Sequence, residues 1–205
     1  MGRPSLADRR RAEILRAAAR TVAEHGLAGS TQERIAAAAG MSRSHVRHYV
    51  GNRDELIHAL WEHVMTPYFT ELREVMAGPP AEARMHALVD HLFGPQMAHN
   101  EDNLVIDALI NGAMHDVRLR GRIYESYSRL EQEIARAIRE ASPGCDHGES
   151  RQLAYALICM AFGYSTLAAL PFPATRQKGM KNLALRLVAT LDERAAPAAD
   201  LPGED

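Results

Sequence analysis

The stretch STQERIAAAAGMSRSHVRHYVGNR, residues 30–53, decides the fold of this chain. It predicts two short helices joined by a tight turn. Ser30 is predicted to cap the first helix, because Glu33 follows at the spacing of a capping box. Gly40 predicts the end of that helix, since glycine readily adopts the positive φ angle at which helices often stop. Ser42 is predicted to cap the second helix.

The second helix presents a polar face. At about 100° per residue, Val46 and Val50 share one side and are predicted to pack inward. The opposite side carries Ser44, Arg47 and His48. Arginine donates hydrogen bonds to guanine O6 and N7 in the major groove, and serine and histidine add adaptable contacts. The pattern therefore favours a helix that reads DNA, with an ordinary solvated helical hairpin as the alternative.

The order of these elements resembles the DNA-binding domain of TetR-type transcriptional regulators. The resemblance covers residues 9–60, from AEILRAAARTVAEHG through STQERIAAAAGMSRSHVRHYVGNRDELIHAL. The residues in register with the family pattern are Gly26, Ser30, Thr31, Ile35, Ala36, Ala39, Gly40, Met41, Ser42, Tyr49, Arg53 and Leu56. The sequence departs from the pattern at Arg47, where the family often has Tyr, at Val50, where Phe is usual, and at Arg53, which replaces a common Lys.

The resemblance implies roles for nine residues in this segment. Contacts with DNA phosphates are expected from Thr31, Tyr49 and Arg53. Contacts with bases or their flanking backbone are expected from Gln32, Arg43, Ser44, His45, Arg47 and His48. The departures from the pattern leave the fold intact, but they make the operator sequence harder to infer.

Hydrophobic spacing along the rest of the chain predicts an all-α protein with about nine helices and no strands. A first helix is expected from about residue 7 to residue 25, ending at Gly26. A fourth helix should open at Asp54, with a kink at Pro67. The remaining helices are expected over about residues 81–93, 103–115, 118–141, 148–170 and 175–194.

We expect three functional regions. Residues 1–53, called the head below, form a helix-turn-helix DNA-binding domain. Residues 54–194 form a helical effector-binding and dimerisation domain, called the body. Residues 195–205 are rich in Ala, Pro and Asp and are expected to be a disordered tail.

Charge supports this division. The head holds ten Arg and no Lys against four acidic residues, a net charge of +6. The other 152 residues carry 14 basic and 22 acidic side chains, a net charge of −8. A basic head on an acidic body confines the phosphate-binding potential to one region.

The sequence also bounds the compartment. No run of about 18 apolar residues predicts a membrane span, and the polar start MGRPSLADRRR lacks a signal-peptide core. A cytoplasmic protein is therefore expected. Cys145 and Cys159 follow no metal or disulfide spacing, so reduced thiols are the expected state.

The two last helices are too apolar for the surface of a single chain. The family resemblance implies that such a pair builds a four-helix interface in a homodimer. The body is also similar, more weakly, to the BetI-type variant of the family over residues 104–170, through INGAMHD, LRGRIYESYSRL and AYALICMAFGYSTLAAL. That similarity does not specify an effector.

Aromatic and polar residues of the body could line a cavity for a small, mainly apolar effector. The candidate effector contacts are Trp61, Met65, His91, Asn111, His115, Tyr124, Tyr127 and Phe162, with Tyr68 and Phe69 beside them. Residues of these types at helical spacing also occur as plain core or surface, and that alternative stays open.

Ten histidines invite a metal hypothesis, but their spacing does not support one. There is no H-E-x-x-H motif, and the pair His58 and His63 lies on different faces of its helix. Neither a phosphate-binding Gly-rich loop nor a nucleophile motif is present, so no cofactor is expected. An architectural DNA-binding protein without an effector, or an enzyme, are the alternatives to a ligand-responsive regulator.

Overall fold

The computed structural model describes residues 5–98 and 102–195. These residues form ten helices and no strand, so the predicted all-α class is confirmed. In chain order the helices are α1 (Leu6–Gly29), α2 (Gln32–Ala38), α3 (Arg43–Val50), α4 (Arg53–Ala77), α5 (Ala81–Leu92), α6 (Pro95–Ala98), α7 (Asn103–Ala113), α8 (Val117–Ala141), α9 (His147–Leu167) and α10 (Ala174–Ala195). Nearly all of the predicted tail, from residue 196 onward, lies outside the described residues.

Helix α1 begins and bends where its sequence allows. The Ser5 hydroxyl accepts from the backbone N–H of Asp8, and the Asp8 carboxylate accepts from the backbone N–H of Ser5, which makes a capping box. Gly26 has a φ of 67°, a left-handed value that glycine adopts without steric cost. The regular helix stops there, as predicted, and one further turn ends at Gly29.

The structure corrects the predicted cap of α2. Thr31, not Ser30, is the N-cap, and its hydroxyl accepts from the backbone N–H of Arg34 at 3.2 Å. Ser30 is buried, and its hydroxyl donates to the carbonyl of Gly26 at 2.7 Å, so it closes α1 instead. Both residues are good caps, and one extra turn after Gly26 shifts the start of α2 by one position.

The turn into α3 agrees with the prediction. Gly40 has a φ of 64°, and Ser42 accepts a hydrogen bond from the backbone N–H of His45 at 3.2 Å. Val46 and Val50 are buried, so this helix packs inward along the face that the spacing predicted.

Two features of the later chain involve a proline. Helix α6 is a short element at a position where only a break was predicted. Proline is favourable in the first turn of a helix, so Pro95 both breaks the chain and starts a new turn. Helix α4 continues through Pro67 to Ala77, and the predicted kink stays a prediction.

Packing divides the chain into two compact units. The first falls within residues 1–70 and 100–126, and the second within residues 71–99 and 127–205. The first unit thus contains the head together with the first part of α4, α7 and the start of α8. The expected functional regions, 1–53, 54–194 and 195–205, are defined by role and stay predictions.

The core of the first unit is apolar with few polar anchors. Ile14, Ile35, Leu60 and Trp61 are fully buried. The indole N–H of Trp61 donates to the hydroxyl of Ser126 at 3.1 Å, which satisfies a buried donor. These side chains connect α1, α2, α4 and α8 within the core of the first unit.

We predict that Leu60→Ala lowers the free energy of unfolding by about 2–5 kcal/mol, because it opens a cavity in this core. Leu104→Ala is the matched control, since Leu104 is 57% exposed and its loss should cost under about 0.5 kcal/mol. The fluorescence of Trp61, the only tryptophan of the chain, reports unfolding in urea. Equal stability losses in the two variants would contradict the assigned core.

Candidate nucleic-acid interface

Helix α3 presents a continuous polar surface. Arg43, Ser44, His45, Arg47 and His48 are all exposed. The buried Val46 and Val50 fix the helix from the opposite side, so these five side chains point away from the core. The structure therefore brings together five of the six residues that were expected to face bases.

Arg43 is held loosely. Its guanidinium lies 2.8 Å from the carboxylate of Glu33 on α2, and both side chains are about 60% exposed. The pKa of Glu33 lies below its usual value because the carboxylate accepts a hydrogen bond from its own backbone N–H, and the charge of Arg43 adds to this effect. An exposed pair of this kind contributes little, so a DNA anion can displace Glu33 at small cost.

The neighbouring side chains of α3 are oriented by local contacts. The hydroxyl of Ser44 lies 2.9 Å from that of Ser42, and the His48 ring meets the edge of Tyr49 at a centroid distance of 4.9 Å. Within the described residues, no hydrogen bond or ion pair holds the guanidinium of Arg47. Its five donors are available for a base edge or a phosphate.

Gln32 makes an internal hydrogen bond that the sequence did not predict. Its side chain is only 8% exposed, and its amide N–H donates to the carbonyl of Gly51 at 3.1 Å. The bond ties the start of α2 to the turn between α3 and α4. Gln32 therefore has an internal role in positioning α3, and its expected contact with a base or the flanking backbone stays a prediction.

Arg53 has an internal role that the family resemblance did not imply. Its two terminal guanidinium nitrogens donate to the carbonyls of Ser30 and Leu27, at 2.5 and 2.6 Å. Leu27 lies in the last turn of α1, where its carbonyl also accepts from the N–H of Ser30 at 3.3 Å, and Ser30 is the C-cap residue of this helix. Arg53 therefore joins the first residue of α4 to the end of α1. Its expected contact with a DNA phosphate stays a prediction.

The other two expected phosphate contacts lie at helix ends. Thr31 is exposed, and its hydroxyl accepts from Arg34, which leaves its proton free to donate to a phosphate. Tyr49 is half-buried at the end of α3, and its carbonyl accepts from the guanidinium of Arg11 at 3.2 Å. The bond fixes the end of α3 against α1.

The eight candidate effector contacts are divided between the two units. In the first unit Trp61 and Met65 are buried, whereas Asn111, His115 and Tyr124 are exposed, Tyr124 by 72%. For Trp61 the plain-core alternative describes its surroundings, and for the three exposed residues the solvated-face alternative does. Their predicted contact with an effector has no support from the first unit by itself.

In the second unit His91, Tyr127 and Phe162 are half-buried. Burial lowers the pKa of His91, while the nearby carboxylate of Glu71 acts in the opposite direction. A neutral imidazole is therefore the main form near neutral pH, and a neutral imidazole both donates and accepts a hydrogen bond.

An apolar groove of about 380 Å³ lies between α9 and α10. The sequence indicated the apolar character of these two helices, but not the role of the loop residue Phe172. The guanidinium of Arg176 lies over the Phe172 ring, 5.5 Å from its centroid. The residues that line the groove are Cys159, Met160, Gly163, Tyr164, Leu167, Ala168, Phe172, Arg176 and Met180.

Two further searches covered the described residues only. No group of three or more His, Cys, Asp or Glu side chains there is arranged to hold a metal ion. None of the described helices has the length and apolar character needed to span a membrane.

Comparisons with known proteins agree with the geometry. Residues 14–60 match the profile of the family described as bacterial regulatory proteins, tetR family. The chain is 28% identical over 156 residues to the HTH-type transcriptional regulator BetI of Burkholderia ambifaria, a match that covers 75% of this chain and 79% of that protein.

Solved structures show the same fold. A TetR transcription regulator from Haloarcula marismortui aligns with a TM-score of 0.75 at 20% identity, over 89% of this chain and 97% of that one. A transcriptional regulator from Rhodococcus sp. Rha1 aligns with a TM-score of 0.73 at 18% identity, over 92% of this chain and 99% of that one.

We predict that Arg47→Ala costs about 1–3 kcal/mol of DNA-binding free energy and relaxes discrimination at one base pair of each half-site. The reason is that Arg47 is exposed in the middle of α3 and that its guanidinium donors have no partner within the described residues. Arg120→Ala removes one exposed positive charge from α8 and is the matched control. Binding to a panel of single-base DNA variants measures the effect, and unchanged preference would refute the groove-facing assignment.

For Arg53 the structure predicts a loss of stability. Arg53→Ala should lower the free energy of unfolding by about 1.5–3 kcal/mol, because two carbonyls at the end of α1 lose a charged donor. If Arg53 also contacts a phosphate, the salt dependence of DNA binding should fall by about one unit per protomer. Urea unfolding and a salt titration separate the two roles. Arg53→Lys, which keeps the charge but not the two-pronged donor, is the control, and unchanged stability in both variants would exclude the internal role.

Proposed function

We propose that this chain is a DNA-binding transcriptional regulator of the TetR type, a ligand-responsive repressor that binds a palindromic operator as a homodimer. The observation that carries the proposal is the exposed polar face of α3 on a head with a net charge of +6. A basic head supplies affinity for phosphates, and one short helix per chain supplies the contacts with bases.

Two copies are needed for specificity. One helix of eight residues reads only a few base pairs, whereas two such helices related by two-fold symmetry read a palindrome. The heads of a dimer must then lie about 34–36 Å apart, or a multiple of it, to enter successive major grooves. The proposed compartment is the cytoplasm.

The surface of α9 and α10 supports the homodimer. Tyr155, Leu167, Leu170, Phe172 and Leu183 are large apolar side chains that are exposed in the single chain. They lie on the two last helices and on the loop between them, next to the apolar groove. Exposed large apolar side chains beside an apolar groove are typical of a protein interface, because their exposure to water is unfavourable. A second copy of the same helices completes a four-helix interface.

The effector is proposed to bind in the body. A small, mainly apolar molecule bound in the body would have to favour a spacing of the two heads that does not fit DNA. The half-buried His91 is the proposed polar anchor, and Tyr127 and Phe162 are half-buried residues of the same unit. Repression is proposed because release by a ligand then switches on the regulated gene. An architectural DNA-binding protein without an effector is the alternative.

We predict that Gly163→Arg converts the dimer to a monomer and weakens operator binding sharply. Gly163 lines the apolar groove, and an arginine there would place a charge in the interface. Gly121→Arg is the control, because Gly121 is exposed on α8 with open space around it. Sedimentation at micromolar concentration measures the state of both variants, and an unaltered Gly163→Arg dimer would place the interface elsewhere.

For the effector we expect a coupling of about 1–3 kcal/mol, equivalent to about 5–150-fold release from the operator. A thermal-shift screen of metabolites and drugs identifies ligands, and each hit is then tested for release of operator DNA. His91→Phe should abolish the shift for such a hit while DNA binding without ligand is retained. A ligand that stabilises the protein but leaves operator affinity unchanged would contradict the coupling for that ligand.

A further inference from the structure

Helix α7 packs along α1 inside the first unit. The buried residues of α7 are Val105, Leu109 and Ala113, which lie on one face at helical spacing. Helix α1 in turn packs on α2 and α3. A shift of α7 is therefore passed to the helix that supports the DNA-reading surface.

The side chain of Leu27 on α1 lies against the backbone of α7 at Gly112, and any larger residue at position 112 would force this side chain to shift. A Cβ added to Gly112 of α7 would lie 2.3 Å from the Cδ2 methyl of Leu27 in the last turn of α1. Carbon atoms in contact are normally about 3.5–4.0 Å apart. Glycine at position 112 is thus what allows Leu27 to seat directly against the backbone of α7.

Leu27 is also held from the other side by its backbone. Its carbonyl accepts from the guanidinium of Arg53 at 2.6 Å and from the N–H of Ser30 at 3.3 Å. Leu27 follows Gly26 in sequence, and the positive φ angle of Gly26 separates this last turn from the rest of α1. Leu27 therefore contacts α7 through its side chain. Through its carbonyl it contacts Arg53, the first residue of α4, and Ser30, which leads into α2.

We propose that the contact between Leu27 and Gly112, called the joint below, sets the orientation of the DNA-reading helix relative to α7. Gly112 is then a positioning residue for operator recognition. The proposal rests on the proposed operator binding. Gly112 touches no DNA in this account. It acts through Leu27, and it makes α7 the helix by which a change elsewhere in the body reaches the head.

The test is a double-mutant cycle with operator DNA selected from a random library by the wild-type protein. Gly112→Ala should weaken operator binding by about fivefold or more, the lower end of couplings between sites. Leu27→Ala removes the obstructing methyl groups. In the Leu27→Ala background, Gly112→Ala should therefore change affinity by less than about twofold, a non-additivity expected only of residues in contact.

A second readout separates positioning from plain stability. Operators with one base pair inserted or removed between the half-sites report the orientation of the heads. Gly112→Ala should lose or shift the spacing preference of the wild type, and Leu27→Ala, which loosens the same joint without a clash, should weaken that preference too. Thermal melting should not fall in parallel with DNA affinity, since alanine is intrinsically favoured over glycine in a helix.

Gly121→Ala is the matched control, because a Cβ at this exposed position of α8 meets nothing within 4 Å. Wild-type affinity and spacing preference are expected for it. If Gly112→Ala behaves like Gly121→Ala, or if its effect is the same with and without Leu27→Ala, the joint is refuted while operator binding stands. If Gly112→Ala fails to fold, the spacing preference of Leu27→Ala alone decides. If the wild-type protein selects no DNA sequence, the proposed function itself fails.

Discussion

The packing of the apolar face of α1 is the interaction on which the rest of the head depends. Ile14 and Ala18 on this face are fully buried, and α1 contacts α2, α3 and α7. Helices as short as α2 and α3 are not stable alone in water, so their position relative to each other is set by this shared support. Hydrogen bonds from Arg11, Gln32 and Arg53 to backbone carbonyls then fix the ends of the three helices.

This construction separates structural from recognition residues in a way that bears on function. Long polar side chains that lie near a backbone carbonyl, such as that of Gln32, donate a hydrogen bond to it and so stabilise the head. Side chains on the outer face of α3, such as Arg47 and His48, make no comparable hydrogen bond to a backbone carbonyl within the described part of the chain. Because the reading surface adds little to the stability of the head, its residues can be exchanged for a different operator without loss of the fold. The departure of Arg47 from the family pattern is consistent with that freedom, since Arg47 is exposed, whereas the departure at Val50 lies in the core.

The fold was largely predictable from sequence because its signals are local. The caps Ser42 and Gly40 and the spacing of Val46 and Val50 act over a few residues, and each was found where it was predicted. Thr31 replaced Ser30 as a cap because the choice depends on one extra turn after Gly26, which spacing does not reveal. The inward roles of Gln32 and Arg53 depend on carbonyls 19 and 23 residues away in sequence, so only the folded chain shows them. The close seat of Leu27 on Gly112 is likewise a contact between distant segments.

The central claim is that two copies of α3 read one two-fold symmetric DNA site. The most direct measurement is selection of bound sequences from a random DNA library by the purified protein, with the stoichiometry of the selected complex determined in solution. We expect an inverted repeat that is bound by an even number of chains. Its half-sites should be centred about 10–10.5 base pairs apart, or a multiple of that distance. Enrichment of no sequence, or of a single unsymmetric site bound by one chain, would contradict it.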